Sequence, residues 1–115
     1  MKLNELSADE QTLFLGLMRE IVTADGEYSD EEKAEVGAIE AEMGSESFVT
    51  AMTRAKDEYH SRTTIMEAAK AITRVEAQKV IMDRLIHMAS SDGVDDAEEK
   101  PLRWLAKAWP DAVIK

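Results

Sequence analysis

Two short stretches hold most of the oxygen-ligand chemistry of this sequence. They are Asp25-Gly26-Glu27-Tyr28-Ser29-Asp30-Glu31-Glu32-Lys33 and Asp92-Gly93-Val94-Asp95-Asp96-Ala97-Glu98-Glu99-Lys100. Calcium and magnesium bind clustered carboxylate and carbonyl oxygens, and each stretch offers several carboxylates within one short loop. Asp25, Glu31 and Glu32 are the candidate ligands in the first, and Asp92, Asp96, Glu98 and Glu99 in the second. Asp25, Glu32, Asp92, Asp96 and Glu99 form the leading set. An EF-hand is the obvious comparison, because Asp-Gly followed by Glu six residues after the glycine matches the second half of its loop. The first half fails: Ile21 and Thr23, then Met88 and Ser90, stand where oxygen ligands belong. An ion would need another arrangement, pooling carboxylates from both turns.

The same residues also have a complete structural reading. Ser29 and Asp96 can cap the helices that follow, and Asp25 and Asp92 can bond nearby backbone N–H groups. The paired glutamates then fall in a first helical turn, where the helix dipole favours negative charge. Both readings stay open on sequence alone. Other chemistry is sparse. The chain has no cysteine, so disulfides, thiolate metal sites and cysteine nucleophiles are excluded. No nucleophile–base arrangement and no phosphate-cradling glycine loop is present, so the chain reads as a non-enzyme. His60 and His87 have no mutual ligand spacing, and His87 reads as a surface or boundary residue. Trp104 and Trp109 are five apart on one helical pattern and cannot fully share a face. One is expected in the core and the other at the surface, marking a partner patch with Leu105 or Ile114.

Helices must position these turns. Ser7-Ala-Asp-Glu10 is a capping box, followed by Phe14, Leu17, Met18, Ile21 and Val22 at helical spacing, with Gly26 as the stop. Ser29 to Glu32 opens a second helix with Val36, Ile39 and Met43 inward and Gly44 at its end. Ser45 or Ser47 opens a third, with Phe48, Met52, Ala55 and Tyr59 on its apolar face. Thr64-Ile-Met-Glu67 predicts a short fourth helix carrying Ile65, Ala69 and Ile72. Thr73 to Glu76 either starts a fifth or continues the fourth, with Val80 or Ile81, Leu85, Met88 and Ala89 inward. Asp96 to Glu99 opens a last helix with Leu102, Leu105, Ala106 and Trp109, stopped by Pro110. Pro101 falls just beyond that helix's first turn and shifts its start or distorts it.

Shifting the sequence by 67 positions lays one acidic turn over the other, with Asp, Gly, Glu, Glu and Lys coincident. Upstream, Phe14 falls over Ile81, Met18 over Leu85, Ile21 over Met88 and Val22 over Ala89. One helix-turn-helix unit therefore occurs twice, joined by a helical middle. At these residues the chain resembles the TerB tellurite-resistance family and its TerB-like relatives, whose signature is an apolar helix, Asp-Gly, a few polar positions and a Glu-rich helix start near both ends. The resemblance spans residues 7–109, with departures at Tyr28, Asp95 and Pro101. It implies an all-α fold, a compact bundle of about six to seven helices with pseudo-two-fold repeated units. It further implies an acidic surface that binds divalent cations and a role in tellurite or other stress responses. The wider group also includes domains attached to co-chaperones and membrane-linked systems, so a protein-interaction module with purely structural turns is the alternative.

Composition sets the outer bounds. At 115 residues, with 44% apolar and 33% charged side chains, residues 1–115 read as one globular domain with its own core. Twenty-four acidic against 14 basic residues give a net charge of −10, which disfavours nucleic acid and anionic membranes and favours cations or a protein partner. No apolar run approaches membrane-spanning length, and the acidic start lacks the positive flank of a signal peptide. No direct membrane insertion and a cytoplasmic location are the expectations.

Overall fold

The computed structural model describes residues 2–23, 30–59, 61–89 and 103–110; within it, side chains at 21–23, 31, 32, 62, 88 and 89 lie outside the description. Every regular element among the described residues is helical. A 3₁₀ turn, Leu3–Glu5, precedes α1 (Ala8–Thr23), α2 (Asp30–Met43), α3 (Ser45–Glu58), α4 (Arg62–Ala71) and α5 (Val75–Ala89). A further helical segment covers residues 103–108.

α1 is the hub. Sequence periodicity assigns it one apolar face, but every residue from Glu10 to Met18 is buried, including Leu13 and Leu15. The reason is placement: α3, α4 and α5 all pack on it. A helix enclosed in this way is apolar around its circumference rather than along one stripe. Its buried polar residues have partners. Thr12 Oγ1 donates to the Ala8 carbonyl at 2.8 Å, and Gln11 Nε2 donates to the Leu3 carbonyl at 3.2 Å. The latter ties α1 to the 3₁₀ turn, whose Leu3 is fully buried. Gly16 lets the Tyr59 ring lie directly on α1; an added Cβ would fall 2.5 Å from Tyr59 Cδ2.

The capping box at Ser7 and Glu10 forms as the sequence predicts. The Glu10 carboxylate accepts the Ser7 N–H at 2.7 Å, and Ser7 Oγ accepts the Glu10 N–H at 3.2 Å. α2 ends at Gly44, whose φ of +93° suits a residue without a Cβ. Gly44 also occupies the N-cap of α3, so neither Ser45 nor Ser47 caps that helix. On α3 the deeply buried residues are Ala51 and Ala55, while Phe48, Met52 and Tyr59 are partly buried against the core.

α4 starts earlier than Thr64. Ser61 is its cap, accepting the Thr64 N–H while Thr64 Oγ1 accepts the Ser61 N–H. The Thr64 hydroxyl therefore supplies the return arm expected of a glutamate. α4 and α5 are separate: Ile72 is the C-cap of α4, and residues 72–74 are not helical. α5 buries Ala77, Ile81, Met82 and Leu85, so Ile81 rather than Val80 faces the core. Leu105 and Trp109 are buried as expected, and Trp109 Nε1 donates to the Ala69 carbonyl at 2.8 Å. Met88, Ala89, Pro101 and Leu102 lie outside the described residues or side chains.

Candidate functional site

The acidic turns fall largely outside the described residues. Asp25, Asp92, Asp96, Glu98 and Glu99 are among those not described; Glu31 and Glu32 have a described backbone, in the first turn of α2, but not described side chains. Among the described residues, no group of three or more His, Asp or Glu side chains sits together as a metal cage.

What the structure does describe is the pair of helices leading out of and into those turns. Glu35, one turn into α2, meets His87, near the end of α5, with Oε1···Nε2 at 2.8 Å. His87 is exposed, as its register predicts, yet it makes this specific contact across 52 residues. Two turns along α2, Glu42 meets Arg84 at 2.8 Å. Arg84 lies on α5 and Glu42 on α2, so the pairing joins two helices. As α2 advances from 35 to 42, its partners on α5 step back from 87 to 84, so the helices run roughly antiparallel here.

Glu42 is a junction. Its carboxylate also accepts the Leu3 N–H at 2.8 Å, holding the 3₁₀ turn. Burial would raise its pKa, but the Leu3 hydrogen bond and Arg84 outweigh that and hold it below the usual carboxylate value. Glu10 is a second junction, gripped by Arg74 through Nη2 at 2.7 Å and Nε at 3.2 Å. Burial again opposes ionisation there, and Arg74 with Ser7 reverses the sign. On the outer face of α3, Arg54 bridges Asp9 at 3.1 Å and Glu58 at 2.8 Å.

A separate feature lies between α4 and the segment over 103–108. Met66, Lys70, Trp104, Lys107 and Ala108 line a cavity of about 280 Å³. Trp104 is only partly buried, whereas Trp109 is 2% exposed; Leu105, expected as a companion of the surface indole, is fully buried, and Ile114 lies outside the described residues. Trp104 Nε1 is itself shielded from solvent and has no acceptor among the described residues. The sequence signal for this site is the five-residue spacing of the tryptophans; the contributions of Met66 and Lys70 come from tertiary packing and left no local mark.

Described elements that are all helical, with α1 enclosed by its neighbours and α2 cross-linked to α5 by carboxylates, define a small helical module. Residues 11–108 match the profile of the family described as Tellurite resistance protein TerB, and the chain belongs to that family. Neither a curated protein nor a solved structure matches it.

Proposed function

We propose that this chain is a non-enzymatic stress-response module of the tellurite-resistance family, acting in the cytoplasm, in which the two acidic turns together hold a divalent cation, calcium or magnesium. The observation that supports this is the Glu35–His87 contact. Glu35 follows the first Asp-Gly turn, and His87 precedes the second by five residues. The contact holds α2, which leads out of the first turn, against α5, which leads into the second, and this supports an ion shared between the turns. The donor set is all oxygen, which suits a hard cation rather than zinc or copper. Of the seven candidates, Asp25 and Glu32 from one turn and Asp92, Asp96 and Glu99 from the other would supply ligands, with Glu31 and Glu98 adding negative field. An ion bound there would fix α2 against α5 and so set the shape of that end of the molecule.

Titration with calcium or magnesium, followed by amide NMR, tests this reading. The Gly26 and Gly93 amides should shift together and saturate by millimolar ion, and Asp25→Asn combined with Asp92→Asn should abolish the response. Unmoved glycine amides, or an unchanged titration in the double variant, would sink it.

A second reading is a protein-interaction module whose acidic turns are purely structural. The partly exposed Trp104 on an apolar cavity is the observation that favours it. Cation titration separates the two readings, since only the first gives the acidic turns an ion.

A further inference from the structure

The cavity beside Trp104 combines three properties seldom found together on an acidic protein. Its floor is apolar, from Met66, Ala108 and the Trp104 ring. Its rim carries two exposed lysines, Lys70 and Lys107, for which no ion pair is present among the described residues. And the Trp104 N–H, shielded from solvent, has no acceptor among the described residues. Lys70 lies in the last turn of α4, where the helix dipole favours a cation. That accounts for one lysine at one helix end. It does not account for lysines from two separate elements converging on one apolar cavity in a chain of net charge −10.

We propose that this cavity docks an acidic peptide segment of a partner protein, seating one large apolar side chain against Met66 and Trp104, with flanking carboxylates on Lys70 and Lys107. A volume of about 280 Å³ admits one large side chain and little more. A ligand oxygen that draws the Trp104 N–H round gives it an acceptor that no described residue supplies. The charge pattern also sets selectivity. Two lysines act at contact range, while the strongly negative remainder repels long polyanions over about a Debye length, roughly 8 Å at physiological salt. A short segment with a few carboxylates around an apolar anchor is favoured over nucleic acid. The proposal deepens the interaction reading and is independent of the cation reading.

The test uses the full chain, ¹⁵N-labelled, titrated with the peptide acetyl-Glu-Glu-Leu-Phe-Glu-Glu-amide. The Trp104 indole N–H resonance should shift and saturate. The Trp109 indole, bonded to the Ala69 carbonyl in the core, serves as the internal control and should stay in place. Lys70→Glu with Lys107→Glu changes only exposed side chains, and should weaken binding at least about tenfold with the circular dichroism spectrum unchanged. The same peptide with glutamine in place of glutamate should also bind at least about tenfold more weakly to the unaltered chain. A silent Trp104 resonance, equal shifts at Trp109, or equal binding of the glutamine peptide would overturn the proposal. So would lysine-dependent capture on phosphatidylserine vesicles with no response to the peptide, which would assign the patch to a membrane surface. Failure of the cation reading would appear at Gly26 and Gly93 instead, so the two outcomes are separable.

Discussion

Gly16 and Tyr59 show how a single missing side chain fixes a helix crossing. The ring occupies the space a Cβ would need, with Cδ2 at 2.5 Å and Cε2 at 2.7 Å from that position. Alanine ordinarily improves a helix interior by about 1 kcal/mol over glycine. Here the ring must move, so Gly16→Ala is expected to destabilise by about 1–3 kcal/mol, read by urea denaturation. In a Tyr59→Ala background the clash is gone and the same change should be neutral or stabilising. Burial, with the nearby Glu58 charge, pushes the Tyr59 hydroxyl up to about 12, consistent with a phenol held against the core. Gly16 carries no signal of this role in the sequence, because its partner lies 43 residues away on the same chain. The same distance problem hides Arg84, whose partner Glu42 is 42 residues off. The local devices, by contrast, are readable: Ser7 with Glu10 sets a helix start from four consecutive residues.

At the scale of elements, Gly37 within α2 and Gly44 just beyond its end make opposite predictions. Gly37 lies mid-helix with nothing within 4 Å of where a Cβ would stand, whereas Gly44 sits at a φ of +93°. Gly37→Ala should stabilise the protein by about 1 kcal/mol through helix propensity alone. Gly44→Ala should cost about 1–2 kcal/mol, since the left-handed region penalises a Cβ. Thermal or chemical denaturation of both variants gives the comparison. The pair matters because α2 carries few deeply buried residues, chiefly Ile39 and Met43 near its end. Its first half depends on polar contacts such as Glu35–His87, and Gly37 weakens the helix just beyond that point. Element order and type were legible wherever caps and apolar spacing agree, as for α1 and α2, whereas spacing alone does not separate α5 from α4. The start of α4 was not, because a Ser–Thr pair replaces the usual Ser/Thr–Glu box. The enclosure of α1 was understated: Leu13 and Leu15 fall off its main stripe, and only packing on several sides explains their burial.

For the molecule as a whole, the carboxylate junctions set the pH response. Glu10 and Glu42 both have folded pKa values below the ordinary 4.5. The folded state therefore binds fewer protons than the unfolded one over that range, and stability rises with pH through it. Their contribution is fully present above about pH 5 and is lost as pH falls through the folded values. Denaturation measured between pH 3 and 7 should show this slope, and Glu10→Gln together with Glu42→Gln should flatten it. At neutral pH, Glu10→Gln alone should cost about 1–2 kcal/mol: glutamine keeps the cap but not the charge opposite Arg74. The acidic turns, whose carboxylates the sequence singles out, contribute to this slope only if an ion or a helix cap lowers their own pKa values. A calcium-dependent change in the acid limb would therefore report on them separately.

The enclosure of α1 also governs how freely this sequence can drift. A helix with a solvent side offers neutral positions, where substitutions usually stay within about 0.5 kcal/mol. From Glu10 to Met18, α1 offers none, because a residue turned away from one neighbour is turned toward another. α2 is the opposite, with Lys33, Ala34, Gly37, Ala38 and Ala41 all exposed. Tolerance for change in this fold is thereby expected on helices with a solvent side, such as α2 and α3, whose exposed positions outnumber their buried ones. The central helix stays locked, and new surface chemistry is written on the helices outside it.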